Sequence, residues 1–322
     1  MSGQQLQRHR IAILGSGAMG SLFGGCLFEG GSDVTLIDLN VPHVEAIRKH
    51  GLVLTTDAGE RSIPAPALFP HEVATTFDLV IVFTKSMHTT AALTAVSSCI
   101  GPETVLLSLQ NGLDNKLPLT AFARPQNVLI GITTYPADLI APGRVASHGT
   151  GVARLAATAE PAAPILRLLP DLFARGGLNA TVDPQVETAI WEKVAFNAAL
   201  NTLCALTRST VGEIGADPAT RRLTFAIAAE VCNTAIACGF AVNRPHVEQT
   251  LASAMHHHTH HKPSMLQDVL TGKPTEIEAI CGAVVGHAGK RGLPTPMTET
   301  VLALIRHIDA KIAGNSRTAK AL

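Results

Sequence analysis

A chain of 322 residues, 46% hydrophobic and 16% charged, is long enough for two domains with sizeable cores. Twenty-five basic residues balance 25 acidic ones and form no stripe, which argues against nucleic acid or another polyanion as partner. No run of about 20 residues is free of polar groups, so no membrane span is expected.

The start, Met1 to Arg10, is polar, and the apolar run after it, Ile11–Leu14, is too short for a signal peptide. Arg10–Leu14 (RIAIL) predicts a short buried strand that runs into Gly15-Ser16-Gly17-Ala18-Met19-Gly20, then a helix through Phe28. A second strand, Asp33–Ile37, ends in Asp38. Strand, glycine loop, helix, strand and acidic residue at this spacing point to a dinucleotide-binding unit. Gly15 serves the tight turn, Gly17 the approach of a pyrophosphate, and Gly20 the packing of helix on strand. The helix N-terminus offers N–H groups to the phosphates. The other reading of Asp38 is a loop carboxylate capping the helix that begins near Pro42.

Leu79–Phe83 and Thr104–Leu109 are continuous apolar runs of the kind found in parallel strands. They end at Thr84-Lys85 and at Gln110-Asn111-Gly112. Ligands of open α/β sheets sit off the carboxyl ends of strands, so Lys85 and Asn111 are placed to touch cofactor or substrate. A solvated lysine and an ordinary Asn-Gly turn are the alternatives. Asn127–Gly131 reads as another strand, and Gly143–Leu155 as antiparallel strands at the sheet edge.

Beyond Val182 the strand signals fade. Helices are predicted over 184–206, 218–238, 244–258, 264–271, 275–290 and 297–312, with a frayed end from about Gly314. The domain boundary falls near 182, and the cleft between the halves is the expected active site. The first long helix is apolar on nearly every side yet carries Lys193, Asn197 and Asn201 at steps of four, hence on one face. A buried ammonium is costly unless paired, and its pKa falls. Such a lysine beside two amides suits an acid that protonates a substrate oxygen; a structural polar network is the alternative.

His256, His257, His258, His260 and His261 form a conspicuous run. Neighbours on a helix point in different directions, so a solvated helix end is expected and no essential metal. Six scattered cysteines, with no CxxC pair and no Cys/His ligand spacing, read as thiols in a reducing, cytoplasmic compartment. Ser264 could be an N-cap and Glu276 a carboxylate at a helix N-terminus; periodicity gives neither a function.

The motifs GSGAMG (15–20), FTKS (83–86), QNG (110–112), WEKVAFNAALN (191–201), KPSMLQD (262–268) and PTEIEAICG (274–282) follow one another as in the ketopantoate reductase family, which the chain resembles over essentially its whole length. The resemblance implies an α/β fold: a Rossmann-type doubly wound sheet over 1–182, then an all-α substrate-binding domain over 183–322. It implies hydride transfer from NADH or NADPH to the C2 ketone of ketopantoate, giving (R)-pantoate for pantothenate synthesis. Lys193 would then be the proton donor and Glu276 would hold the substrate hydroxyl. Asn197, Asn201 and Ser264 would fix the substrate's hydroxyl and carboxylate ends. Asn111 would lie between nicotinamide and substrate, and Lys85 near the adenine-ribose end. Gly15, Ser16, Gly17, Ala18, Met19 and Gly20 would cradle the pyrophosphate.

One departure stands out. Family members that use NADPH tend to carry a basic residue where this chain has Asp38, so NADH is the expected coenzyme unless Lys85 or Arg48 compensates. The same departure admits an NAD-dependent D-2-hydroxyacid dehydrogenase acting on a branched or aromatic 2-oxo acid. Glu276 favours ketopantoate, which has a further hydroxyl. A non-catalytic dinucleotide sensor is the remote third reading, and a homodimer through the helical half is the assembly considered.

Overall fold

Short apolar strands with period-two alternation build the first part of the chain. The computed structural model describes residues 9–320, with side chains described to Gly314. Twelve strands occur among the described residues. They are β1 (Arg10–Leu14), β2 (Asp33–Ile37), β3 (Leu52–Thr56), β4 (Gly59–Ile63), β5 (Ala67–Leu68), β6 (Leu79–Val82), β7 (Val105–Ser108), β8 (Val128–Thr133), β9 (Asp138–Ala141), β10 (Arg144–Ser147), β11 (Ala153–Ala157) and β12 (Ala180–Val182). Eight form one sheet in the order β12-β11-β8-β7-β6-β1-β2-β5, and four form a second in the order β4-β3-β10-β9. From β5 to β8 the large sheet is parallel, and β11 returns antiparallel to β8.

The alternation decides which face each side chain covers. Ile11 and Ile13 join one core with Leu36, Ile81 and Leu107, while Ala12 and Leu14 join the other with Ile37, Val80 and Leu106. Burial on both faces is why these strands read as unbroken apolar runs. The helices α1 (Ala18–Glu29), α2 (Val41–His50), α3 (Thr89–Ala95), α4 (Lys116–Leu119) and α5 (Leu169–Arg175) lie in the same part. Phe23 of α1 anchors an aromatic cluster, with ring centroids 5.1 Å from Phe83, 5.8 Å from Tyr135 and 5.6 Å from Phe173.

The rest is helical: α6 (Val186–Phe196), α7 (Thr202–Thr207), α8 (Val211–Ala216), α9 (Pro218–Ala237), α10 (Arg244–His257), α11 (Ser264–Leu270), α12 (Ala283–Gly289) and α13 (Pro296–Lys320). Their core gathers Trp191, Val194, Leu200, Ile227, Leu251, Leu266, Ile280 and Ile305. The chain divides into one unit of Met1–Gln110 with Asn115–Val186 and another of Asn111–Asp114 with Glu187–Leu322. The short segment Asn111–Asp114 thus belongs with the helices, and its Leu113 N–H donates to Ala279 O at 2.8 Å. No described helix is long and apolar enough to cross a membrane. All six cysteines are unpaired; five are buried, and Cys238 is partly exposed.

Several expectations need correction. The helix expected over 184–206 is interrupted by a π turn at Asn197–Asn201, and the one expected over 275–290 by another at Glu278–Gly282. Only part of Gly143–Leu155 lies at the edge region of the large sheet. β10 belongs to the second sheet, pairing parallel with β3, while β11 pairs antiparallel with β8. The helix continues past Gly314 to Lys320 instead of fraying there. The polar start, Met1–Arg8, lies outside the described residues.

Candidate active site

The first constellation sits where β1, β2 and β6 end. Gly15 has φ 91°, and a Cβ there would lie 2.6 Å from Thr84 N, so the turn excludes any side chain. At Gly20 a Cβ would lie 2.1 Å from Gly15 O, which fixes how closely α1 enters against the loop. Around Gly17, which caps the N-terminus of α1, no atom would come within 4 Å of an added Cβ. Open space against a helix N-terminus is what an approaching phosphate requires.

Beside this loop runs a groove of about 460 Å³ lined by Gly15, Gly17, Asp38, Thr84, Lys85 and His88, with apolar walls that include Ile37 and Phe83. Its size and lining fit the adenosine part of a dinucleotide. Asp38 Oδ1 accepts from Asn40 N–H at 2.9 Å, and Ser16 Oγ lies 3.5 Å from Asp38 Oδ2. Asp38 does not cap α2; Asn40 does, its Oδ1 accepting from His43 N–H at 3.3 Å. Arg48, the other basic candidate for this end, is committed elsewhere. Its Nε donates to Ala67 O at 2.8 Å, it pairs with Glu45 and Glu72, and its guanidinium lies 4.8 Å from the Phe69 ring centre.

The strand ends are tied by a residue to which the sequence alone assigned no role. Gln110 Nε2 donates to Thr84 O and to Thr89 Oγ1, both at 2.7 Å, while its Oε1 accepts from Ser108 Oγ at 2.9 Å. It thereby fixes the Thr84-Lys85 loop. A polar residue at the carboxyl end of a parallel strand was the available signal. His43 is the other unforeseen residue: 1% exposed, with its pKa below the usual histidine range because burial disfavours the charged ring.

The second constellation lies in the helical unit. Lys193 is only partly covered, yet its ammonium is desolvated, which lowers its pKa from 10.5 to about 8 against the opposing charge of Glu276. Asn197 and Asn201, 7% and 6% exposed, make up the ends of the π turn, and neither amide bonds to another described side chain. The wider turn departs from the stacking that steps of four give in an α-helix, and π turns recur at functional sites. Thr202 Oγ1, at the start of α7, donates back to Ala198 O in the turn. The π turn packs against α11 and against the second π turn.

Glu276 stands just before that second turn, and its neighbour Thr275 is anchored twice by Asp309 of α13. Thr275 N–H donates to Oδ1 at 3.1 Å and Thr275 Oγ1 to Oδ2 at 2.7 Å. Ser264 is exposed at the first position of α11; Pro263, not Ser264, is the capping residue. The histidines 256–261 are all exposed, at the end of α10 and in the turn after it. No group of three or more potential metal ligands converges among the described residues.

Comparison with known proteins covers both constellations. Residues 11–160 match the family model for ketopantoate reductase PanE/ApbA, and residues 185–309 match that for its C-terminal part. The chain is 33% identical over 301 residues to 2-dehydropantoate 2-reductase of Streptococcus pyogenes, covering 93% of this chain and 98% of that protein. It is 31% identical over 306 residues to the protein of the same name from Pyrococcus abyssi, covering 94% and 98%. Among solved structures, D-mandelate dehydrogenase with NADH and anilino(oxo)acetate superposes with a TM-score of 0.90 at 30% identity, over 94% of this chain and 99% of that one. The 2-dehydropantoate 2-reductase from Geobacter metallireducens GS-15 superposes with a TM-score of 0.86 at 29% identity, over 92% and 99%.

Proposed function

The chain belongs to the ketopantoate reductase PanE/ApbA family, and on that premise we propose that it reduces ketopantoate to (R)-pantoate with a nicotinamide dinucleotide. The observation that carries this reading is the desolvated Lys193, under the charge of Glu276 and on the same helical stretch as the two buried amides of the π turn. Such a group can donate a proton near neutral pH, where an exposed lysine holds its proton too tightly.

A bound, reduced nicotinamide supplies hydride to the ketone carbon; the protein supplies the rest. As negative charge gathers on the ketone oxygen, the Lys193 ammonium stabilises it and then transfers its proton to that oxygen. Glu276 keeps the lysine charged and accepts a hydrogen bond from the substrate's distal hydroxyl. Asn197, Asn201 and Ser264 orient the hydroxyl and carboxylate, and Asn111 and Lys85 serve the coenzyme. Lys193→Ala should lower turnover by roughly 10²–10⁴-fold, and undiminished turnover in that variant would rule out the assigned role.

Asp38 supports NADH over NADPH: its carboxylate suits two ribose hydroxyls and repels a 2′-phosphate. Arg48, tied to Glu45 and Glu72, is not placed to compensate. A kcat/KM for NADH at least about tenfold above that for NADPH is expected, equivalent to about 1.4 kcal/mol. A clear preference for NADPH refutes this reading of Asp38.

The likeness to a D-mandelate dehydrogenase supports a second reading, a D-2-hydroxyacid dehydrogenase acting on another 2-oxo acid. Parallel assays with ketopantoate, 2-oxoisovalerate and phenylglyoxylate decide between them. Ketopantoate should give the highest kcat/KM, and Glu276→Gln should cost it more than it costs the two acids lacking a hydroxyl.

A further inference from the structure

The four-stranded sheet contributes no residue to the groove beside the glycine loop, yet a chain of three hydrogen bonds leads from it to that loop. The turn between β9 and β10 presents Gly143, whose N–H donates to His43 Nδ1 at 3.0 Å. An Nδ1 that accepts puts the proton of the neutral ring on Nε2. Nε2 lies 3.2 Å from Ser21 Oγ, and the Ser21 hydroxyl donates to Ser16 O at 2.6 Å. His43, Ser21 and Ser16 are 1%, 0% and 0% exposed, so water does not compete for these bonds.

Each link has a fixed direction. Ser21 cannot give its proton to the imidazole, because that proton is spent on the Ser16 carbonyl; it must accept from Nε2. His43 in turn must accept from Gly143. The chain therefore works with a neutral ring only, and burial favours that form, against the charge of Asp38 at the end of β2 and the pull of the Ser16 backbone oxygen on the ring. Asp38 is the one charge among the described residues that acts on the ring; on the flanking elements, Glu45 and Arg48 of α2 pair with each other, Arg144 beside Gly143 pairs with Glu60, and Glu29 of α1 pairs with Arg61.

We propose that His43 is a positioning residue for coenzyme binding, holding the Ser16 peptide through Ser21 so that the loop at Gly15–Gly20 is set before a dinucleotide arrives. The second sheet is the abutment against which that hold is made. This rests on the reading that the loop binds a nicotinamide dinucleotide. A loop already in its bound shape loses less freedom on binding, so the effect belongs in affinity for coenzyme and not in turnover.

The test is NADH affinity by fluorescence titration, with steady-state kinetics on the preferred 2-oxo acid, in His43→Asn, His43→Gln and Ser21→Ala. An asparagine keeps the acceptor for Gly143 but is too short to reach Ser21; a glutamine extends an amide N–H to where Nε2 stands. His43→Asn and Ser21→Ala should each raise the Kd for NADH about tenfold while kcat at saturating NADH holds. The double variant His43→Asn/Ser21→Ala should be no weaker than either alone, because both break one path. His43→Gln should return most of the affinity. Equal losses in the Gln and Asn variants, additive losses in the double variant, or a fall in kcat with Kd unchanged overturns the proposal. Failure of the unaltered protein to bind NADH or NADPH overturns the dinucleotide reading itself and the proposal with it.

Discussion

At Lys193 two effects compete. Desolvation removes the ammonium's preference for its proton, and the Glu276 carboxylate restores part of it; desolvation wins, leaving the pKa at about 8. With Lys193 as the proposed proton donor, the acid form is the active one, and kcat/KM should be level below pH 8 and fall about tenfold per unit above it. Glu276→Gln removes the supporting charge and should move that alkaline limb to lower pH. A pH–rate profile of both forms checks this; an unmoved limb would disconnect Glu276 from Lys193. The burial of Lys193, Asn197 and Asn201 was legible because apolar residues surround them on nearly every side of the predicted helix. Gln110 and His43 were not, since a single polar residue acquires meaning only from the partners folding gives it. Thr84, Thr89 and Gly143 are 21 to 100 residues away from the side chains they meet.

Among elements, β1, β2, β6, β7 and α1 could be read to within a residue or so, because both faces of the central strands are buried and composition marks them plainly; α3, α4 and α5 were not read. The π turns could not. An extra residue in a helical turn leaves no mark in apolar periodicity over five residues, and Asn197–Asn201 looks α-helical from spacing alone. The second sheet was also missed: β3 and β4 are short and partly exposed, and β10 finds its partner β3 some 90 residues back. Glu276 depends on a neighbouring element too, since Asp309 of α13 holds the adjacent Thr275 by two hydrogen bonds. Asp309→Ala should cost about 2 kcal/mol in urea unfolding. It should also displace Glu276 enough to shift the Lys193 limb to lower pH. Loss of stability with an unshifted limb would make the clamp purely structural.

For the molecule as a whole, ligand and proton linkage follow from the same residues. A coenzyme that binds only the folded chain at 100 times its Kd adds about 2.7 kcal/mol, so NADH should raise Tm more than NADPH at equal concentration. Protons act through His43, whose pKa in the fold lies below its unfolded value of 6.5. The unfolded chain then takes up the extra proton, so stability is full above pH 6.5 and declines as pH falls through the folded value. Urea midpoints between pH 5 and 7.5 should show that slope, and His43→Gln should remove it. The division into two units, with Asn111–Asp114 grouped among the helices, could not be foreseen from a boundary drawn in chain order. The distribution of sulfur has a practical corollary. Burial raises Cys26 and Cys232 to about 11 and Cys204 and Cys281 to about 12, while Cys238 alone keeps notable surface. Thiolate, not thiol, attacks disulfide reagents, and burial raises the Cys238 thiol as well, so Cys238 should label first but slowly, and the other five only as fast as the fold opens. The cysteines thus form a native clock for unfolding, readable with Ellman's reagent and no engineered probe.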